Sequence, residues 1–414
     1  MIGMQIHFHQ ELIDEGIENS FDLMKEKGGI NTVCVLTNCD HLDTKQETSY
    51  GGLTRNAKRD YLEIDGFYYE PHAEYYEGTK IKPEKTRSPE FAGTDYFAET
   101  VEAAKSRGMD YYAFYLHRFP SANKYPDCYQ VDILGHWVPP MYCYNNPDVR
   151  NLYLGMTEDL IRNYEIDGLF LDLVDHHIQW GYGTLTDEIA VGLGISTLEK
   201  AGMGLGCFCK HCTAIAESEG IDVRSVKRAL LKAVQSHHIP SRVESLATAD
   251  DVFRFLLDIP EYLEWMIFKA RTLADLHAQI YSLAKSLDRK AKIGLDLYSV
   301  SDSWKYCVDW KQMQESCDWI KPMFYSGTFP GSLYTPDRVG NEVAKAIQEV
   351  DDKVPIVSGI VATSGVDQQY VQDAIRQSID RGADGVMISW DYALIPVSNL
   401  EAARMTLKEL GIVG

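Results

Sequence analysis

The chain alternates between short apolar runs rich in β-branched residues and longer segments with helical periodicity, and this alternation limits the fold more than any other feature. Eight apolar runs are candidate strands, at residues 4–9, 31–38, 110–117, 167–174, 292–298, 318–325, 355–361 and 384–391. Eight strands alternating with helices predict an α/β fold of the (β/α)8 TIM barrel type. A doubly wound open sheet is the alternative, but no glycine-rich phosphate loop follows the first run.

The helical segments between the strands support one continuous barrel domain over residues 1–414. The clearest lie at 95–107, 148–164, 337–350 and 368–381. Gly108 and Gly382 each follow a helical segment and lead directly into the next strand, as helix-stopping glycines do. A bare barrel needs about 250 residues, so the surplus lies in insertions. The longest, residues 175–290, follows strand four, and we expect it on the face where barrel enzymes hold their active sites.

Charge and composition exclude several classes of partner. The formal net charge is -21 and no run of Lys and Arg forms a basic patch, so nucleic acid and anionic membrane surfaces are not expected partners. Neither an export signal nor an apolar run of about 20 residues is present. We therefore expect a soluble cytoplasmic protein, which agrees with an odd number of cysteines, nine, in a reducing compartment. A homo-oligomeric state is left open.

Two neighbouring candidate strands each carry a carboxylate at or near the C-terminal end. Asp172 ends the apolar fourth run, and Asp296 stands in the fifth with Tyr298 on the same face of the strand. Cleavage of a glycosidic bond requires a pair of carboxylates, one as nucleophile or base and one as acid. We predict Asp172 as nucleophile or base and Asp296 as acid, with Asp391 on strand eight as the reserve acid. Asp296 has a second interpretation, in which it orients a substrate hydroxyl or pairs with Lys321.

Further polar and aromatic residues are candidates for binding the sugar. Aromatic faces stack on pyranose rings, and polar groups at the rim bind hydroxyls. The candidates are His7, His9, His117, Asp175, Tyr298, Lys321, Tyr325 and Trp390. The sequence therefore predicts a carbohydrate cleft. A barrel that binds a carbohydrate without catalysis fits the same residues.

His7 and His9 also suggest an alternative chemistry. Their His-x-His spacing on the first strand is the one with which amidohydrolase barrels hold a metal, which would make the protein a metal-dependent hydrolase or isomerase. Such barrels have further histidines at the ends of strands five and six, where this chain has Tyr298 and Tyr325. The glycoside hydrolase is therefore the preferred prediction.

Three cysteines lie within six residues, in Cys207-Phe-Cys209-Lys-His-Cys212. Thiolates at this spacing are typical of a structural zinc site, which needs one further ligand. From the spacing alone, that ligand is another cysteine or a histidine. A site closed by four protein ligands has no open position for catalysis.

The order of these motifs resembles glycoside hydrolase family 42 β-galactosidases and the related "hypothetical glycosyl hydrolase" barrels. The segment from Met141 to Arg150, the strand ending in Asp172 and the cysteine motif follow one another as they do there. The resemblance implies Cys143 as the fourth zinc ligand. Strand four departs from that family, since it lacks the Asn-Glu pair of the galactosidases. Its Asp172 is closer to the strand-four nucleophile of α-L-fucosidase-like barrels, so the galactosidase substrate does not carry over.

Overall fold

A computed structural model describes residues 1–39, 44–47, 60–117, 124–133, 135, 137–174, 207–235, 257, 260–303, 306–324, 333–389 and 392–414. Its central sheet confirms the eight predicted strands. They are β1 Ile2–Ile6, β2 Thr32–Leu36, β3 Asp110–Leu116, β4 Gly168–Asp172, β5 Lys292–Tyr298, β6 Trp319–Met323, β7 Val357–Val361 and β8 Gly385–Ser389. The prediction that the first strand reaches His9 is wrong, because a helix begins there.

The eight strands are parallel and form a nearly closed barrel. The sheet runs in the order β6-β5-β4-β3-β2-β1-β8-β7. Its two outer strands meet through a parallel bridge between Ile320 and Ile356, with the Ile320 amide donating to the Pro355 carbonyl at 2.9 Å. This closure confirms the TIM barrel and rules out the open-sheet alternative.

Helices follow the strands and cover the barrel. They are α1 His9–Glu15, α2 Ile17–Gly28, α3 Tyr96–Ser106, α4 Pro147–Asn163, α5 Lys210–Ser218, α6 Val223–Gln235, α7 Pro260–Leu287, α8 Val300–Ser303, α9 Trp310–Met313, α10 Pro336–Glu349, α11 Gln368–Asp380 and α12 Val397–Glu409. Short 3-10 helices lie at Ala73–Tyr76, Pro89–Phe91, Pro126–Cys128, Gln314–Ser316 and Tyr392–Leu394. Among the helices of the described part, none is both long enough and apolar enough to cross a membrane.

Side chains and backbone geometry at the helix ends explain where these helices begin and stop. Asp95, Asn146 and Asp367 each accept a hydrogen bond from a first-turn amide of the helix that follows. Gly108 and Gly382 have φ of 65° and 97°, the left-handed conformation that glycine adopts without strain. The prediction that these two glycines end helices is confirmed.

Aromatic residues fill the lower barrel interior. The rings of Phe170 and Trp319 stack with centroids 5.1 Å apart, and Tyr112 packs edge-on against the Trp319 indole at 5.4 Å. Gly294 leaves room for that indole, since a Cβ at this position would overlap it. This packed layer closes the barrel below the polar residues at the upper strand ends.

Two antiparallel hairpins and a helical region lie beyond the barrel strands. Thr44–Glu47 pairs with Asp60–Glu63, and Tyr129–Val131 pairs with Trp137–Tyr142. The described part of the predicted 175–290 insertion consists of the cysteine motif with α5, α6 and α7. Helix α7 packs along α4 and leads into β5.

Candidate active site and four-cysteine cluster

Asp172 lies at the C-terminal end of β4 with one carboxylate oxygen unsatisfied. The residue is 8% exposed, and its Oδ1 has no hydrogen-bond partner among the described residues. His117 lies beside it, with Nδ1 donating to the Asp172 backbone carbonyl at 3.2 Å and 3.7 Å from Oδ1. A buried carboxylate oxygen without a partner costs free energy, so it is a natural point of contact for a ligand.

Asp296 on β5 belongs to a fully paired network. Lys321 Nζ donates to both of its carboxylate oxygens at 2.9 Å, and Gln5 Nε2 donates to Oδ2 at 3.0 Å. The Ser389 hydroxyl in turn donates to Gln5 Oε1 at 2.7 Å. The pairing of Asp296 with Lys321, the second interpretation of this residue, is confirmed. The network joins β1, β5, β6 and β8 across the barrel.

Burial and charge shift the pKa values of this ion pair in opposite directions. Burial raises the pKa of Asp296; the Lys321 ammonium counteracts the rise, and the nearby charge of Asp172 adds to it. Burial lowers the pKa of Lys321, although its contact with Asp296 opposes that change. Asp296 is 1% exposed and Lys321 0%.

The barrel register places the two carboxylates next to each other. Leu171 pairs with Leu295 on the neighbouring strand, so the next residues along, Asp172 and Asp296, stand side by side. Asp296 pairs in turn with Lys321. Three adjacent strands therefore present a carboxylate, a second carboxylate and an ammonium in one row at the upper end of the barrel.

The two histidines of the first strand lie in different surroundings. His7 is half-buried and packs edge-on against Phe114 at 4.8 Å. His9 begins α1, and its ring centroid lies 3.9 Å from that of Tyr68. Its Nδ1 shares a 3.0 Å hydrogen bond with the Tyr96 hydroxyl. Burial lowers the pKa of His9 to about 3. Among the described residues, neither histidine belongs to a group of three or more potential metal ligands, as the amidohydrolase alternative requires.

The remaining predicted sugar contacts are only partly described. Tyr298 ends β5, where its ring stacks on Tyr306 with centroids 3.6 Å apart. Four predicted residues, Asp175, Tyr325, Trp390 and Asp391, lie outside the described residues. The structure thus brings together Asp172, Asp296, His117 and Lys321 from the predicted set.

Four buried cysteines converge on one point beside the barrel. The sulfur atoms of Cys143, Cys207, Cys209 and Cys212 all lie within 4.8 Å of one another. Cys143 Sγ is 3.4 Å from Cys209 Sγ and 3.5 Å from Cys212 Sγ. The prediction that Cys143 joins the other three is confirmed, and the group could hold a metal ion.

The chain segments around these cysteines lie on both sides of β4. Cys143 directly follows the 129–142 hairpin, which comes after β3, whereas the other three come from the insertion after β4. The Phe208 amide donates to the Val131 carbonyl at 2.7 Å, and the Val131 amide donates to Cys207 Sγ at 3.3 Å. The cluster therefore ties the hairpin to the insertion.

Sequence reasoning missed several residues that complete these sites: Gln5, Ser389, Asn145 and Lys269. Gln5 had a usable signal, because it is an amide on the same face of an apolar strand as His7. Ser389 had none, since a single serine in a strand is common. Asn145, just before α4, contacts Cys212; it lies in the Met141–Arg150 segment on which the family resemblance rests, but no role was predicted for it. Lys269 on α7 also contacts Cys212, and no motif includes it.

Comparisons with known proteins show the fold. No protein-family model matches the chain, and no curated protein matches its sequence. Among solved structures, a β-galactosidase from Halorubrum lacusprofundi is 14% identical with a TM-score of 0.58, and covers 100% of this chain and 58% of its own. α-L-Fucosidase isoenzyme 2 from Paenibacillus thiaminolyticus is 13% identical with a TM-score of 0.57, covering 100% and 50%.

A third similar structure belongs to the family that the cysteine motif resembles. Gan42B, a GH42 β-galactosidase from G. stearothermophilus, is 10% identical with a TM-score of 0.57, covering 100% of this chain and 57% of its own. The chain thus spans between 50% and 58% of the length of these three proteins. At such identities the likeness establishes a shared barrel fold.

Proposed function

We propose that this protein is a glycoside hydrolase that cleaves a small oligosaccharide or glycoside, with Asp172 as nucleophile or general base. The observation that carries the proposal is the nearly buried Oδ1 of Asp172 at the C-terminal end of β4, which has no hydrogen-bond partner within the described part of the chain. Barrel enzymes build their active sites on this face. The barrel fold shared with a fucosidase and β-galactosidases supports the same chemistry.

Asp296 is better suited to hold the site together than to donate a proton. A general acid must carry a proton and reach the leaving oxygen. Asp296 is enclosed and already accepts hydrogen bonds from Lys321 and Gln5. We therefore assign the acid to Asp391, the reserve candidate, and give Asp296 the role of fixing Lys321 beside Asp172.

The proposed reaction uses Asp172 in one of two ways. As nucleophile, its Oδ1 attacks the anomeric carbon while the bond to the leaving oxygen breaks and the acid transfers its proton to that oxygen; water then releases the sugar with retention. As general base, Asp172 takes a proton from water, which attacks the anomeric carbon with inversion. Proton NMR of the first product distinguishes the two.

The test is a screen of aryl glycosides differing in sugar and anomer, followed by Asp172→Asn. We expect this variant to lower kcat at least about 100-fold, since acid, base and nucleophile groups contribute about 100- to 10,000-fold. Asp167→Asn is the matched control, because Asp167 stands at the opposite end of the same strand and binds Lys105 and the Tyr111 amide. Unchanged turnover of every accepted glycoside by a folded Asp172→Asn protein refutes the proposal.

The acid assignment has its own test. Loss of a general acid harms glycosides with poor leaving groups much more than those with activated aryl leaving groups. We expect this selective loss in Asp391→Asn and not in Asp296→Asn. If Asp296→Asn shows the selective loss and Asp391→Asn does not, Asp296 is the general acid. Saturable glycan binding with no product at any pH instead indicates a non-catalytic barrel.

We also propose that the four cysteines hold a structural zinc ion. Tetrahedral coordination at about 2.3 Å places sulfur atoms roughly 3.8 Å apart, close to the 3.4 and 3.5 Å separations from Cys143. Bound zinc would cross-link the hairpin and the insertion. We expect about one zinc per chain by elemental analysis, and its loss with a lower Tm in Cys143→Ser. A Cys143→Ser protein with full zinc content and unchanged Tm contradicts this proposal.

A further inference from the structure

Lys269 is a buried cation with an unusual set of neighbours. It lies on α7, is 1% exposed, and has its Nζ 4.9 Å from the centre of the Trp265 ring. Burial of an ammonium group is costly unless a negative charge compensates it. The group that compensates the Lys269 ammonium therefore has to be identified from its contacts.

The polar contacts of Lys269 all lead to the four-cysteine cluster. Its Nζ donates to Cys212 Sγ at 3.4 Å and to the Cys207 carbonyl at 3.2 Å. Within the part of the chain that the structure describes, no carboxylate forms an ion pair with it. Among the described residues, the cluster is therefore the group that can offset the charge of Lys269.

Other donors around the cluster agree with anionic sulfur. Asn145 Nδ2 donates to Cys212 Sγ at 3.4 Å, and the Val131 amide donates to Cys207 Sγ at 3.3 Å. Four thiolates around a divalent ion carry an excess of negative charge in a buried place. Lys269 offsets part of that excess.

The same contacts attach α7 to the cluster. Besides Lys269, Thr272 accepts a hydrogen bond at 3.2 Å from Asn145, which itself contacts Cys212. The later part of α7 is held differently, because Leu273, Leu276 and Ile280 belong to the main hydrophobic core. Residues 260–272 are therefore the portion of α7 that depends on the cluster.

We propose that Lys269 is the counter-cation of a metal-bound tetrathiolate and makes docking of the first half of α7 depend on the metal. With metal bound, the ammonium faces negative sulfur. After metal loss nothing holds the four sulfur atoms around one point, so the buried Lys269 ammonium loses its fixed acceptors and must reach water. The helix then opens locally over residues 260–272.

The first experiment measures zinc transfer from the purified full-length protein to a chromogenic chelator at constant pH. Lys269→Met keeps the volume and removes the charge, and we expect release about 10- to 100-fold faster, the usual effect of a lost outer partner. Lys269→Arg keeps the charge, so we expect its rate of zinc release to be closer to that of wild type. Lys285→Met is the control, since Lys285 lies on the same helix but pairs with Asp318.

The second experiment measures amide hydrogen exchange along α7 with and without zinc. In wild type, zinc removal should increase exchange in 260–272 and leave 273–287 unchanged. In zinc-free Lys269→Met the first half should stay protected, because no buried charge needs to escape. If Lys269 only filled space, zinc removal would affect wild type and Lys269→Met alike; a difference in exchange between them indicates that its charge matters.

Any of three results overturns the proposal. The purified protein binds no zinc, or zinc leaves wild type and Lys269→Met at the same rate. The third is that amide exchange of residues 260–272 in wild type does not change on zinc removal. The last measurement needs no variant, so it decides the matter even if Lys269→Met does not fold. None of these readouts uses glycoside turnover, so the outcome is independent of the proposed catalytic activity.

Discussion

The buried pair of Asp296 and Lys321 allows a sharp stability prediction. Lys321→Met removes the ammonium that donates two 2.9 Å hydrogen bonds and leaves Asp296 with Gln5. Breaking a buried ion pair in this way costs about 3–5 kcal/mol. For 414 residues, an unfolding entropy near 2.1 cal/mol/K per residue converts this cost to a fall in Tm of about 3–6 °C.

The loss should also depend on pH, with a definite sign. Without Lys321, the interaction that opposes the raised pKa of Asp296 is gone, so the folded-state pKa rises further above the unfolded value. A group with a raised folded-state pKa loses its stabilising contribution as pH rises through that pKa. The difference in Tm between variant and wild type should therefore be larger at pH 8 than at pH 5.

Thermal unfolding followed by circular dichroism at both pH values measures this effect. Lys27→Met is the control, because Lys27 pairs with Glu401 on the surface, where water screens the interaction. The double variant Lys321→Met with Asp296→Leu removes both charges and should recover most of the loss. An unchanged Tm in Lys321→Met, or a greater loss at pH 5, refutes the reasoning.

Two further predictions concern the packing of the barrel. Because the folded-state pKa of His9 is about 3, far below its unfolded value, its stabilising contribution should fall as pH drops below about 6.5, by about 2 kcal/mol at pH 5. Urea unfolding at pH 7 and pH 5 should show a smaller decline in His9→Phe, and equal declines contradict this. Gly294→Ala should cost about 1–3 kcal/mol by overlap with Trp319. Gly365→Ala is the control, because its Cβ would lie 3.8 Å from Thr363 Oγ1, an ordinary contact distance; equal urea midpoints for the two variants count against the prediction.

The fold was predictable because a parallel barrel leaves a strong trace in the sequence. Strands covered on both faces are almost continuously apolar, and β4 and β7 are buried along their whole length. The exception is the end of β1, where Phe8 and His9 continue the apolar alternation but the chain turns into α1. His9 packs against Tyr68 and Tyr96, which are distant in the sequence, so the local hydrophobic pattern does not predict that β1 ends before His9.

The candidate site was only partly predictable. Carboxylates at the ends of neighbouring parallel strands must meet at one edge, so Asp172 and Asp296 could be found from the sequence. Whether Asp296 pairs with Lys321 depends on register and burial, which the pattern does not give. Gln5 lies 291 positions from Asp296 in the sequence, so its strand face could be predicted but its hydrogen bond to Asp296 could not. Cytoplasmic location stays a prediction, and the oligomeric state stays open.

The contrast between the two carboxylates is the strongest argument for dividing their roles. Asp296 is surrounded by donors, so a substrate contact would have to displace Lys321 or Gln5 and leave a buried group unpaired. Asp172 stands in the next position on the adjacent strand, with Oδ1 free of hydrogen bonds among the described residues. Because the Lys321 ammonium offsets the charge of Asp296, the electrostatic repulsion between the two neighbouring carboxylates is reduced. This contrast fits the proposed division of roles, in which Asp172 contacts the sugar and the buried pair of Asp296 and Lys321 does not.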